Sequence, residues 1–66
     1  MKITVNGESR DVEPGTTIAA LLESLGFEGN TLVVQQNEDI IELTEHGQTT
    51  VNEGDQIELV RFVGGG

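Results

Sequence analysis

Only one stretch of this chain carries a helical period, and it is short. Ile18, Leu21, Leu22 and Leu25 recur at i, i+3, i+4 and i+7, which lines them up as one apolar stripe. Glu23 and Ser24 fall on the wet side. Thr16 or Thr17 supplies an N-cap hydroxyl for an orphan backbone N–H, and Gly26 a left-handed end. Phe27, just past it, folds back onto the stripe. Such a short helix does not hold itself in water, so its stripe must be buried against something else.

Everything else with a period reads as strand. Ile3-Thr4-Val5 alternates and meets Asn6-Gly7, a hairpin turn signal, so Arg10-Asp11-Val12 returns as an edge strand. Glu13-Pro14-Gly15-Thr16 is a tight turn: Pro14 presets φ and Gly15 tolerates a positive one. Thr31 to Val34 is β-branched and apolar, and Ile40-Ile41 follows the turn at Gln36-Asn37-Glu38-Asp39. Leu43 to Gly47 reads as irregular with one helical turn. Asn52-Glu53-Gly54-Asp55 turns into Ile57 to Val63, the longest strand signal of all.

Hairpin, helix, two strands and a final apolar strand make an α+β domain with one helix packed across a mixed sheet. That element order is the β-grasp order, with the last strand central and parallel to the first. Alternation places Ile57 and Leu59 on the helix side with Arg61, and Glu58, Val60 and Phe62 on the other. Val60 and Phe62 then form an apolar docking patch on the open face, or Phe62 simply covers the sheet end. The expected organisation is a folded domain over residues 1–63 followed by a flexible glycine tail, 64–66.

Size and charge exclude whole classes of function. Sixty-six residues leave room for one thin core. Twelve acids against Lys2, Arg10 and Arg61 give a net charge of -9, which argues against nucleic acid and against an anionic membrane surface. Any partner surface should be positive. Without cysteine there is no disulfide, no thiolate nucleophile and no thiolate metal site. With neither a signal-peptide pattern nor a long apolar run, the expected compartment is the cytoplasm and the expected state a monomer.

Catalytic constellations are thin. His46 is the only histidine and is expected as a solvated loop residue. Asp39, Asp55 and the glutamates are scattered, without the spacing of a calcium loop, and read as solvated acidic surface. Gly26-Phe27-Glu28-Gly29 lacks the Lys-Ser/Thr of a phosphate loop. Nothing here reads as an enzyme, and no metal site is expected.

The end of the sequence is different. A strong strand runs straight into Gly64, Gly65 and Gly66. A tail without side chains is narrow enough to enter a partner's channel, and it carries the terminal carboxylate beyond the folded body. A carboxylate is a poor electrophile until ATP converts it to an acyl-adenylate; a sulfur or nitrogen nucleophile can then take the acyl group. The contrary reading is a frayed terminus with no role.

The run Glu58-Leu59-Val60-Arg61-Phe62-Val63-Gly64-Gly65-Gly66 closely resembles the terminus of the ThiS sulfur carrier family, which is ubiquitin-like. Asn6-Gly7, the Thr17 to Gly26 helix and Gly54-Asp55 also sit where that family has them, so the likeness covers essentially the whole chain. The resemblance implies that an E1-like adenylyltransferase, ThiF-like and supplying the ATP and magnesium, adenylates Gly66. Sulfur from a cysteine desulfurase or another persulfide donor then makes a Gly66 thiocarboxylate. A ThiG-like thiazole synthase accepts that sulfur in thiamine biosynthesis. Gly64 and Gly65 would thread the partner channels, Val60 and Phe62 would belong to the contact surface, and Arg61 would pair with an acid on a partner or be an ordinary exposed arginine. One stretch departs from the family: Asn37 keeps a turn without its glycine, and the Pro-Arg run of many members is missing. The alternatives are a carrier for molybdopterin, tRNA thiolation or amino-acid synthesis, or a protein modifier joined to lysine through Gly66.

Overall fold

In the computed structural model, residues 1–61 are described. Phe62, Val63, Gly64, Gly65 and Gly66 lie outside the described residues, and with them the expected tail. The chain runs β1 (Lys2–Val5), β2 (Glu8–Asp11), α1 (Ile18–Ser24), a 3₁₀ turn (Gly29–Thr31), β3 (Leu32–Gln36), β4 (Asp39–Ile41), a second 3₁₀ turn (Leu43–Glu45) and β5 (Gln56–Arg61). The five strands form one sheet in the order β2-β1-β5-β3-β4. β5 is central, parallel to β1 and antiparallel to β3, as the element order predicts.

Local chemistry sets the turns. Asn6 and Gly7 both take positive φ, 51° and 84°, the demand of a tight β1–β2 hairpin. The return strand starts at Glu8, earlier than the expected Arg10, because this turn needs only those two residues. At Glu13-Pro14-Gly15-Thr16 the Thr16 N–H reaches the Glu13 carbonyl at 3.2 Å with Gly15 at φ 89°. β3 starts at Leu32, one residue later than expected, since Thr31 closes a 3₁₀ turn by donating both its N–H and its hydroxyl to the Glu28 carbonyl.

Both helix ends are satisfied. Thr17 is the N-cap, its hydroxyl accepting from Ala20 N–H at 3.1 Å. The Ile18 and Ala19 N–H groups donate to the carbonyls of Thr49 and His46, so the segment before β5 caps the helix from outside. At the other end Gly26 N–H donates to Glu23 and Phe27 N–H to Leu22, the paired bonds of a Schellman motif. Ile18, Leu21 and Leu22 of α1 are buried against Ile3 and Val5 of β1, Leu32 and Val34 of β3 and Ile57 of β5, with Val51 closing the side. Leu25, Phe27 and Leu59 pack around the edge of this core.

Two expectations fail here. His46 is only 4% exposed, not a solvated loop residue: its carbonyl is committed to the helix N-terminus, which draws the ring into the gap over Gly29. Asp55 is 7% exposed, not solvated surface: it accepts from three donors at the turn into β5. The remaining carboxylates of the described residues are exposed. No helix among the described residues is long and apolar enough to cross a membrane.

Candidate functional site: the central strand at the root of the tail

β5 delivers whatever follows it, so its anchoring decides where residues beyond Arg61 begin. β3 holds it along five register positions, from Gln36 opposite Ile57 to Leu32 opposite Arg61. β1 holds it over a shorter span, Thr4 with Gln56 and Val5 with Ile57, before the hairpin turns away. Asn6 then extends the ladder with its side chain. Its backbone N–H donates to the Ile57 carbonyl at 2.8 Å, and its Oδ1 accepts from Leu59 N–H, also at 2.8 Å. In this way Asn6 takes the place of one more strand residue.

The start of β5 is tied by a polar knot. Gln36 Nε2 donates to Asp55 Oδ2 at 2.7 Å, Asn37 Nδ2 to Oδ1 at 3.2 Å and Asn52 N–H to Oδ2 at 2.8 Å. Asn37, at φ 58°, also accepts from Gln56 N–H through its Oδ1. Burial works to raise the Asp55 pKa, but the hydrogen bonds from Asn52, Gln36 and Asn37 outweigh it and hold the carboxyl below its ordinary value. The departure from the family pattern at Asn37 therefore keeps its turn without glycine, because asparagine tolerates the left-handed conformation and its side chain serves this knot.

The two faces of β5 differ. Ile57 is buried under the helix, Leu59 half-buried, and Arg61 reaches the rim of the same side with its guanidinium 5.5 Å from the Phe27 ring centroid. On the open face Val60 is 60% exposed, opposite Val33 of β3, while Gln35 of β3 separates Glu58 from Ile40 of β4. Ile40 is itself 56% exposed. Of the expected apolar patch, Val60 is exposed beside Val33, and Phe62 lies outside the described residues; Ile40 is exposed on β4, beside Gln35.

Of the site residues expected from sequence, Val60 and Arg61 are placed, on opposite sides of the sheet. Phe62, Gly64, Gly65 and Gly66 lie outside the described residues. Sequence reasoning missed Val33 and Ile40; alternation against buried Leu32, Val34 and half-buried Ile41 carries the signal for both. It also missed Asn6 as a strand extender and Asp55 as an anchor, which depend on partners distant in the chain. Among the described residues no cluster of three or more histidine and carboxylate side chains could hold a metal ion.

Known proteins resemble this chain along its length. The profile of the ThiS family matches residues 3–66. A crystal structure of the thiamine biosynthesis protein ThiS from Geobacter metallireducens superposes with a TM-score of 0.86 at 32% identity, covering 100% of both chains. A solution NMR structure of a thiamine biosynthesis protein from the same organism gives 0.78 at 32% identity, covering 100% of this chain and 88% of that one. Two proteins named thiazole synthase, from Paramagnetospirillum magneticum and Magnetococcus marinus, are 39% and 42% identical over 100% of this chain. The chain spans 20% of the length of each of those two relatives. A family match that runs from the first strand through the three glycines, on the five-stranded sheet with one helix described above, makes this chain a member of the ThiS family.

Proposed function

We propose that the chain is a sulfur carrier of thiamine biosynthesis, with the Gly66 carboxylate as the working group. The observation that carries this reading is the family match through Gly66, on a fold whose central strand, Gln56–Arg61, is the last element described before the glycines in the sequence. The names of the relatives support the pathway: one structural neighbour is a thiamine biosynthesis protein, and the longer relatives are thiazole synthases.

The chemistry requires nothing from this chain except an accessible carboxylate. An E1-like adenylyltransferase joins the carboxylate to the α-phosphate of ATP, with magnesium bound to the nucleotide and pyrophosphate leaving. The terminal sulfur of a persulfide, made by a cysteine desulfurase, attacks the acyl carbon and displaces AMP. A thiol then reduces the resulting S–S bond, and the thiocarboxylate that remains donates its sulfur to thiazole synthase. Gly64 and Gly65 thread the partner channel, where a Cβ would widen the tail. Val60 and Phe62 form the surface that partners grip, and Arg61 stands at the rim.

The test is intact mass. Full-length chain is incubated with ATP, magnesium, cysteine, a desulfurase and the adenylyltransferase, and the expected product has gained the mass of one sulfur and lost that of one oxygen. Deletion of Gly66 should abolish the change. An unchanged mass with active partner enzymes overturns the reading, and lysine-branched peptides carrying the tail would show a protein modifier instead.

A further inference from the structure

An activated Gly66 has to survive until a sulfur reaches it, and the first competitors for its acyl group are the chain's own nucleophiles. They are few: no cysteine and no tyrosine, one histidine and one lysine. Lys2 lies two positions before Thr4 on β1, Thr4 is level with Gln56, and Arg61 is five positions further along β5. Seven strand rises put about 23 Å between Lys2 and Arg61. The Lys2 ammonium also turns away from β5, to Asp11 of β2 at 3.2 Å. The Met1 amine stands at the same end, donating to the Val12 carbonyl at 2.8 Å. Residues 62–66 span at most about 18 Å even at full extension, so Gly66 does not reach either amine while the strands hold them.

Closer to Arg61 the other nucleophiles are occupied. Leu32 pairs with Arg61, and the turn before Leu32 holds Gly29, against which the His46 ring packs. His46 is 4% exposed, with Nε2 at 3.3 Å from the Ile41 carbonyl, so its imidazole is not presented to an acyl group. The Thr31 hydroxyl, which shares a shallow hollow with Arg61, donates to the Glu28 carbonyl at 2.6 Å. What remains is Arg61 itself, its guanidinium 5.5 Å from the Phe27 ring centroid. An ammonium there would carry the same charge and could sit over the same ring. The two cations differ in reactivity: about one lysine in 250 is a free amine at pH 8, whereas the guanidinium keeps its proton.

We propose that Arg61 protects the activated terminus from its own chain, by supplying positive charge before the glycines in a form that is not a nucleophile. A lysine in its place would stand five residues from Gly66. Its free amine would attack the acyl carbon of the Gly66 adenylate, form an amide, release AMP and give its proton to water. The tether makes that attack intramolecular, worth orders of magnitude over the same amine in solution. An incoming persulfide would then find a closed loop with no acyl group to take. The inference rests on the carrier reading for its use, since only an activated carboxyl is at risk, and it gives Arg61 a role separate from any partner contact.

The probe is the full chain carrying a Gly66 thioester in place of the adenylate, made by intein cleavage with a small thiol and kept dilute at pH 8. Intact mass should show the natural protein hydrolysing to the free acid and to nothing else. Arg61→Lys should yield a product lighter than the acid by one water, outpacing hydrolysis about tenfold or more, with peptide mapping joining the new side chain to Gly66. Glu53→Lys adds an amine beside Lys2, whose N–H the natural Glu53 carboxylate accepts at 3.3 Å, and should hydrolyse like the natural protein. Hydrolysis alone in Arg61→Lys, a Lys2–Gly66 amide within the natural chain, or equal closure in Glu53→Lys would each overturn the inference. The thioester is made without ATP or an adenylyltransferase. A failed thiolation in the earlier mass experiment would therefore remove the carrier reading and leave this result readable, and the two fail separately.

Discussion

The two ends of β5 are held by different means. At its start, a buried carboxylate collects three hydrogen bonds from one strand and two turns, so side chains from β3 and the β3–β4 turn and a backbone N–H from the approach to β5 all close on one atom group. At its far end, β3 still pairs with it, but on the other side, among the described residues, the Asn6 amide at Leu59 is the last hydrogen bond along that edge. The first end is a structural lock. The second is lightly held on one edge, apolar on its open face, and leads to the glycines. The proposed carrier role would use that asymmetry, because the body would keep its shape while partners take hold of the end.

Breaking the lock should have the largest effect. Asp55→Ala leaves Gln36 and Asn37 amides and the Asn52 N–H without their acceptor in a partly buried place. Each unsatisfied donor of that kind costs about 1–3 kcal/mol, and a loss of about 3 kcal/mol in total is expected after water reaches some of them. For a domain of this size that is a fall in Tm of about 12–24 °C. Thermal unfolding followed by circular dichroism measures it. A fall of only a degree or two would show that the knot is decoration.

Asp55→Asn sharpens the same point through pH. The folded-state pKa of Asp55 lies below its unfolded value, so the ionised carboxylate adds stability that is fully present above the ordinary aspartate value of 3.8. That contribution is lost as pH falls from there through the lowered folded-state pKa. Urea unfolding at a series of pH values should therefore find the gap between the natural protein and the variant wide near neutrality and closing in acid. A gap independent of pH would mean that the carboxylate charge contributes nothing.

At the lighter end, Asn6→Gly should cost about 1–2 kcal/mol, from one lost hydrogen bond to Leu59 and the added freedom of glycine in the unfolded chain. Glycine accepts the positive φ, so the hairpin itself survives. Amide hydrogen exchange should speed up at Leu59 while Val34 and Leu21 keep their protection. Asn6→Asp, which retains an acceptor oxygen, should restore slow exchange at Leu59. Equal acceleration across the sheet would show that Asn6 serves the hairpin alone.

How much of this was legible depends on how far apart the partners lie in sequence. The helix from Thr17 to Gly26, the Asn6-Gly7 hairpin and the Pro14-Gly15 turn use near neighbours, and each was readable from residue type and spacing. The faces of β5 followed from its alternation, which put Val60 on the open side. The burial of Asp55 was not readable, because Gln36 and Asn37 reach it across 19 and 18 positions of chain. Its local context, Asn52-Glu53-Gly54-Asp55, is that of any solvated turn. His46 failed likewise: what buries it is its carbonyl serving the helix N-terminus and the empty place over Gly29, and neither is written in the residues beside it. The glycines were the reverse case. Their proposed role rests on sequence and family likeness alone, since a group proposed to act inside a partner needs no packing within this chain.

The smallest effect on stability should come from Val60, and there it separates folding from function. Its side chain is mostly exposed, and its cross-strand neighbour Val33 is half-buried on the open face. Val60→Ser therefore removes little buried area, and stability should stay within about 0.5 kcal/mol. Under the proposed carrier role, exposed Val60 and its neighbour Val33 are where a partner would rest while drawing in the glycines, and interface centres lose more than surfaces do when an apolar group goes. Adenylation kinetics on the variant should show KM for the carrier raised several-fold with kcat little changed, because the carboxylate and its tail are intact. If KM stays where it was, the partners grip the tail alone. If stability falls by several kcal/mol instead, Val60 belongs to the body, and the contrast between the two ends of β5 is gone.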